Sequence, residues 1–555
     1  MAFDFLIAGG GTAGCVLASR LSQAGHSVAI FEAGPEDYSE KVMSPLAAPM
    51  LHGSSLEYNY ITTAQTNLAN RKVPNFAGRV LSGSSAVNYG NWTRCHSADY
   101  DAWADLVGDE RWDYAHLLKY FRKVQHHHDS AADPEVYGFD GPMYTTAGDR
   151  YYPLRDPLET ALRESGLKYN ADANGGSPFG FSLLSENWRD GKRQPASLAY
   201  DLSKAKIFTE VVVKRIVFDV STKVASGIEL LDGRVFHASK EVLICCGSIR
   251  TPQLLMLSGI GPVDHLSALS IPMVMDLPVG QNLHDHLAVT LYWKLKHPEQ
   301  GLAIGSPTFM KPGFEKGNPI DWIVTSSITD TSKAAAADKI SAVDPLIRER
   351  RGHLEFFVSY APIAAQAFFN YSLLGTHISS PVLGLLPTSR GTIRLSSTDP
   401  SADPIIDPNY LDSEIDREAL RTGIRLVLRT MLDTPSGQSV IEGETPPPGQ
   451  PQLTSSSSNK EIDQRAQAVG RSFFQGAGTA AMGTVVDTEL RVKNVHKLRV
   501  IDASILPIPL AGHYQCKLCY AQRYSYIFNI VLIIHRSDLR DCGSSSRHYS
   551  RTSLK

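Results

Sequence analysis

The chain has 555 residues, 43% of them hydrophobic and 20% charged, values ordinary for a globular protein. Its 54 Lys and Arg against 57 Asp and Glu leave a net charge of −3, which argues against nucleic-acid binding or a polybasic membrane surface, since either needs a basic face. At about 150 residues per domain the length allows three or four domains, or two large ones sharing an interrupted sequence, and a chain this size needs no disulfide scaffold.

The N-terminus shows no basic region, apolar core or small-residue cleavage site. Met1-Ala2-Phe3-Asp4 runs straight into the apolar Phe5-Leu6-Ile7-Ala8, so no secretory signal is expected. Phe5 to Ala8 reads as a buried strand, Gly9-Gly10-Gly11-Thr12-Ala13-Gly14 as a tight turn, Cys15 to Ala24 as a helix and Val28 to Phe31 as a second strand ending at Glu32. Gly9, Gly11 and Gly14 form G-x-G-x-x-G: the first permits the turn, the second lets a pyrophosphate reach the backbone, and the third lets helix and strand pack closely. The helix start at Thr12 and Ala13 then offers unpaired N–H groups to phosphates. Glu32, 18 residues beyond Gly14, stands where an acid accepts hydrogen bonds from both ribose hydroxyls and disfavours a 2′-phosphate. Dinucleotide binding is therefore expected, but this motif does not separate FAD from NAD.

Further along, residues 78–94 (GRVLSGSSAVNYGNWTR) form a loop of small residues suited to lying against a flat ligand. His126-His127-His128-Asp129 reads as a solvated helix end rather than a metal cluster, because successive side chains on a helix diverge. Cys245-Cys246, after the apolar Val242-Leu243-Ile244, reads as core thiol. Residues 247–262 (GSIRTPQLLMLSGIGP) and 278–286 (PVGQNLHDH) follow, with His284 and His286 read as structural. Alternation over His353–Val358 and Thr392–Leu395 predicts antiparallel strands, and apolar spacing predicts an amphipathic helix over 413–433. Pro and Ser density over 445–458 predicts a mobile loop. Trp92 and the pair Phe473-Phe474 are candidates either for packing or for lining an apolar pocket.

The glycine-rich unit together with segments 78–94 and 247–286 resembles the glucose-methanol-choline (GMC) family of FAD-dependent alcohol oxidoreductases. The resemblance extends through residues 191–200 (GKRQPASLAY), 389–400 (SRGTIRLSSTDP), 405–411 (IIDPNYL) and 498–507 (LRVIDASILP) and covers most of 4–515. It implies FAD as cofactor. Gly9, Gly11 and Gly14 then match the pyrophosphate turn, Glu32 the ribose ligand, Val213 the backbone contact to adenine, Asn88 and Asn91 contacts near the flavin, and Asp502 and Ala503 the C-terminal FAD contact. Some members attach FAD through a His just before the Asn; Val87 stands there, so non-covalent FAD is expected.

The resemblance also implies two catalytic positions facing the flavin, a His in H-x-x-G-T and a His or Asn some forty residues later. The first falls on Gln475 in the frame Gln475-Gly476-Ala477-Gly478-Thr479, a departure from the family. The second falls on His513, eleven residues after Asp502. A His with an unperturbed pKa near ~6.5 can accept a hydroxyl proton, whereas a Gln amide can only orient the substrate oxygen. His513 is the expected base and Gln475 its positioning partner. The loss of the first His keeps two alternatives open, a hydroxynitrile-lyase-like enzyme and a catalytically impaired flavoprotein.

The expected fold is a Rossmann-like FAD-binding domain (1–40, 75–115, 200–290 and 470–515) with a discontinuous substrate domain (140–200 and 291–469) built on an antiparallel sheet and helices. The expected partners are a small-molecule alcohol and an acceptor, oxygen or quinone-like, with no nucleic acid, no membrane and no metal, and the expected location is the cytoplasm. A role in tailoring a specialised metabolite is a further expectation. The resemblance stops near Gln515. Cys516-Lys517-Leu518-Cys519 and a Ser- and Arg-rich end replace the expected Ala-rich helix, so 516–555 reads as an altered C-terminus. It holds three of the seven cysteines, and Cys516 and Cys519 lack the second half of a zinc site.

Overall fold

The computed structural model describes residues 2–329, 331–341, 344, 347, 351–363 and 373–515. The atypical tail, with Cys516, Cys519 and Cys542, lies outside the described residues.

The N-terminal unit seeds a first sheet. Ala2–Ala8 runs parallel between Val28–Phe31 and Val235–Ile244; Lys206–Phe208 extends one side, and Leu498–Val500 joins the last residues of Val235–Ile244. Two antiparallel strands, Val213–Asp219 and Val224–Leu230, continue from the first half of Val235–Ile244. Leu6, Ile7, Ala29, Ile30, Val242 and Leu243 are wholly buried, because a parallel sheet is covered on both faces and so reads as unbroken apolar runs. The helix Thr12–Gln23 connects the first two strands and buries Cys15, Val16, Leu17 and Leu21. This sheet sets chain segments hundreds of residues apart side by side: Val500 pairs with Ile244, which brings residues 502–503 to the helix start at Gly247.

The second sheet is antiparallel, in the order Ile441–Glu444, Leu287–Leu295, His377–Gly384, Leu354–Ser359, Ile320–Ser326, Gly180–Leu183, with Arg471–Ser472 pairing the start of Leu287–Leu295. One face, including Phe356 and Val382, packs on Leu420 and Ile424 of the helix Glu414–Leu428. Gly423 lets that helix come close, since a Cβ there would stand 2.5 Å from Val382 Cγ1. The other face carries Ala288, Leu383 and Phe357. The helix expected over 413–433 is α-helical to Leu428 and closes in a π turn, Arg429–Asp433.

Two local expectations are corrected. The helix before the histidine run ends at Val124, and Gln125–His127 is a strand parallel to Met143–Ala147. The buried Gln125 amide donates to Thr145 Oγ1 at 2.7 Å, a tertiary contact that no local periodicity encodes. The Pro- and Ser-rich loop is held in place rather than loose: Leu453 is 1% exposed, its N–H donates to Glu444 Oε2 at 2.6 Å, and Arg465 donates to Pro451 O at 2.6 Å. No helix among the described residues is long and apolar enough to cross a membrane.

Candidate active site

A cavity of about 620 Å³ runs from the glycine-rich turn to residues 473–476 and 513–515. At the first end Gly9 has φ +97°, and a Cβ there would stand 2.4 Å from Cys245 O; one on Gly14 would stand 2.1 Å from Gly9 O. Only glycine permits either approach. Gly14 thus closes helix onto strand, while Gly9, Gly11, Thr12 and Ala13 line the cavity. The helix begins at Gly11 without a capping side chain, so its first N–H groups and its partial positive charge are directed at the cavity. Glu32 accepts from Gly10 N at 2.9 Å and Gly34 N at 2.8 Å. Burial pushes its carboxyl up to about 7, against the pull of these donors. Val213 and Cys245-Cys246 line the same end; burial raises both thiols, Cys246 sitting beneath the turn with its Sγ on Ala8 O at 3.2 Å.

Asp502 begins the turn after Leu498–Val500. Its carboxylate accepts from Gly247 N (2.9 Å), Thr251 Oγ1 (2.6 Å), and Ser504 N and Oγ (2.9 and 2.6 Å), joining the sheet end to the helix Gly247–Leu257. Asn88 is clamped on three sides: its Oδ1 accepts from Gly90 N at 3.0 Å, Arg193 donates to its carbonyl, and its amide donates to Gln515. Asn91 Oδ1 accepts from Asn318 at 2.9 Å. Asn88, Asn91, Asp502 and Ala503 all line the cavity.

At the far end His513 Nε2 lies 2.8 Å from Glu355 Oε1, with His513 8% and Glu355 1% exposed. The carboxylate accepts the Nε2–H, which leaves Nδ1 of this cavity-lining residue as the acceptor lone pair. Three contacts fix the turn carrying this ring. His513 N donates to Thr93 Oγ1 at 2.7 Å, Ala511 N donates to Asp99 Oδ2 at 2.8 Å, and Asp99 is itself held by Arg351 at 2.7 Å in a fully buried pair. Gln475 joins the two expected catalytic segments. Its Oε1 accepts from Tyr514 N at 2.9 Å, and its own N–H donates to the buried Asp285 at 2.7 Å. The Gln475 carbonyl thus holds the backbone beside His513, and its NH₂ is left for the cavity.

The structure therefore gathers every residue expected at the site around one cavity, with Gly14 just behind its wall. Of the two aromatic candidates, Phe473 and Phe474 line it, whereas Trp92 is fully buried in the core. Sequence reasoning missed Glu355. The alternation over His353–Val358 placed it opposite Leu354 and Phe356, on the face it shares with the cavity-lining Phe357, but an acid on such a face reads by default as solvent-exposed. Among the described residues, no group of three or more His, Cys, Asp or Glu is arranged to hold a metal.

The GMC oxidoreductase family models match residues 3–288 and 387–520. The chain belongs to the GMC oxidoreductase family. It is 55% identical over 519 residues to the GMC-type oxidoreductase acuG of Aspergillus aculeatus, covering 93% of this chain and 96% of the relative. It is 33% identical to mitochondrial choline dehydrogenase of Mus musculus, covering 92% and 86%. Among solved structures it is similar to a formate oxidase of Aspergillus oryzae (TM-score 0.85, 27% identity, 97% and 99% covered). It is also similar to a pyridoxine 4-oxidase from Mesorbium loti (TM-score 0.82, 28% identity, 95% and 99% covered). This GMC enzyme is a flavoprotein with FAD as cofactor. Its residues fit the group: the uncapped helix start would take the pyrophosphate, the buried Glu32 would take the ribose, and the cavity continues to His513.

Proposed function

We propose that this GMC oxidoreductase oxidises a primary or secondary alcohol to an aldehyde or ketone with His513 as the base. The observation that carries the reading is the buried Glu355–His513 pair at 2.8 Å on a histidine that lines the cavity. FAD, when bound, supplies the hydride acceptor. His513 Nδ1 takes the hydroxyl proton, and Glu355 stabilises the imidazolium that forms while holding the ring in one tautomer. Gln475 holds the backbone next to His513 and offers its NH₂ to the substrate oxygen. Phe473, Phe474 and Phe357 exclude water around the carbinol.

FAD is held without a covalent bond at Val87, which lines the cavity at 4% exposure and carries no nucleophile. The FAD unit takes 1–40, 75–115, 200–290 and 470–515 and the substrate unit 140–200 and 291–469; the parallel sheet supports the first set. The antiparallel sheet supports the second, although Leu287–Leu295 and Arg471–Ser472 join it from the first. Oxygen and a quinone-like carrier are the acceptors to compare, the cytoplasm is the proposed location, and tailoring of a specialised metabolite is the proposed role. The stronger likeness to a fungal GMC-type oxidoreductase than to choline dehydrogenase favours that role. The purified protein should be yellow and bleach anaerobically with a suitable alcohol. Persistent colour across a broad alcohol panel would overturn the reading and favour a lyase or a non-catalytic flavoprotein.

A further inference from the structure

One face of the antiparallel sheet carries a cross-strand row that reads Arg471, Ala288, Leu383, Glu355. Directly opposed residues in antiparallel strands share a face, and neighbouring strands lie ~4.8 Å apart, so about 14 Å of backbone separates the two ends of the row. One end holds the acid–base pair, Glu355 with His513. The other presents Arg471, which lines the same cavity. Among the described residues its guanidinium has no ion-pair or hydrogen-bond partner, and its Nε is buried without an acceptor. Glu57, Asp285 and Glu355 are engaged elsewhere: Glu57 stands 3.3 Å from His52, Asp285 is taken by Ser472 and Tyr410, and Glu355 by His513. The phenols of Tyr89 and Tyr292 lie close enough to feel its charge. The Tyr89 hydroxyl is itself tied to His52 Nε2 at 3.0 Å.

A partly buried cation without an anion is costly, and the planar guanidinium fork matches a carboxylate in geometry as well as charge. Ala288 and Leu383 are buried beneath the cavity wall, and the side chains this face does present to the cavity, Phe357, Phe473 and Ile363, are apolar, so a substrate body reaching from His513 to Arg471 is apolar in the middle. We propose that Arg471 binds a carboxylate on the substrate, so that the enzyme acts on hydroxy acids whose carbinol and carboxylate are separated by an apolar body. This rests on the alcohol-oxidation reading of the same cavity and names the substrate class.

The test compares para-(hydroxymethyl)benzoate and ω-hydroxyoctanoate with their neutral amides, using FAD-loaded wild type, Arg471→Gln and Arg471→Lys. It adds calorimetric binding of the non-oxidisable para-methylbenzoate and octanoate. One charge-assisted hydrogen-bonded pair corresponds to about 10- to 100-fold. Wild type should therefore prefer at least one acid over its amide by that factor in KM. Arg471→Gln should erase the preference with kcat and the amide KM unchanged, Arg471→Lys should keep part of it, and the binding of the non-oxidisable acid should weaken in parallel. Equal effects on acid and amide would overturn the proposal, as would carboxylate binding that ignores Arg471, or loss of FAD from both variants, which would put the guanidinium on the cofactor. If neither alcohol bleaches the flavin yet an acid binds in an Arg471-dependent way, the alcohol-oxidation reading fails and carboxylate recognition stands.

Discussion

Replacing Glu355 with Gln removes one charge and leaves the shape of the site nearly unchanged. The carboxylate oxygen lies 2.8 Å from His513 Nε2, and the residues are 1% and 8% exposed. With charge centres about 4 Å apart and an effective dielectric of about 20, the imidazolium formed on proton abstraction loses about 4 kcal/mol of stabilisation. Part of this is recovered by the amide oxygen, which still accepts a hydrogen bond. The flavin reduction rate should fall about 10²- to 10³-fold. The assay is anaerobic stopped-flow reduction with a saturating alcohol, alongside FAD content and a thermal melt to show the fold intact. A Glu355→Gln protein that keeps its FAD and reduces at the wild-type rate would refute the assignment of Glu355 as the partner of the base.

Glu32→Gln puts an NH₂ where one of Gly10 N and Gly34 N now donates. It should weaken FAD binding about 10- to 100-fold while leaving the reduction rate of the loaded enzyme alone, and unchanged FAD affinity would contradict the ribose assignment. Gln475→Ala removes the acceptor of Tyr514 N and should lower kcat about tenfold; a loss as large as that of His513→Ala would place Gln475 in the proton transfer itself. His284 is 1% exposed, and burial, aided by the charge of Arg390, holds its imidazole down at about 3. Unfolded His titrates near ~6.5, so between pH about 3 and 6.5 the unfolded chain binds the extra proton. Stability therefore falls as pH drops through that window, with a slope of up to about 1.4 kcal/mol per pH unit, and no such loss operates above it. Thermal melts of His284→Gln should show a shallower acid slope, and an identical slope would disprove the contribution.

The dinucleotide turn was legible because it is local. Within some thirty residues a strand, three glycines, a helix and an acid come together at one end of the cavity, and Gly9 and Gly14 make in space the close approaches their spacing suggests. The place of His513 at the cavity was legible through its distance from Asp502, which a short turn preserves. Glu355 was not, because its partner is 158 residues away and an alternating strand does not announce whether its polar face meets water or a cavity. The Asp99–Arg351 pair that supports the turn carrying His513 spans 252 residues and has no motif at all. The histidine run was misread for the same reason: helical periodicity stops at Val124, and the strand that follows exists because Met143–Ala147 is there to pair with it. Trp92 sits inside a cavity-lining segment yet turns to the core, a direction set by packing and not by neighbours in sequence.

His513 is proposed to remove the alcohol proton at a cavity that holds FAD. Anaerobic mixing of the FAD-loaded protein with an alcohol it oxidises tests this directly, read at the oxidised flavin absorbance for wild type and His513→Ala side by side. Wild type should bleach, and His513→Ala should retain its FAD and stay yellow over the same time. Bleaching of His513→Ala at the wild-type rate would contradict it.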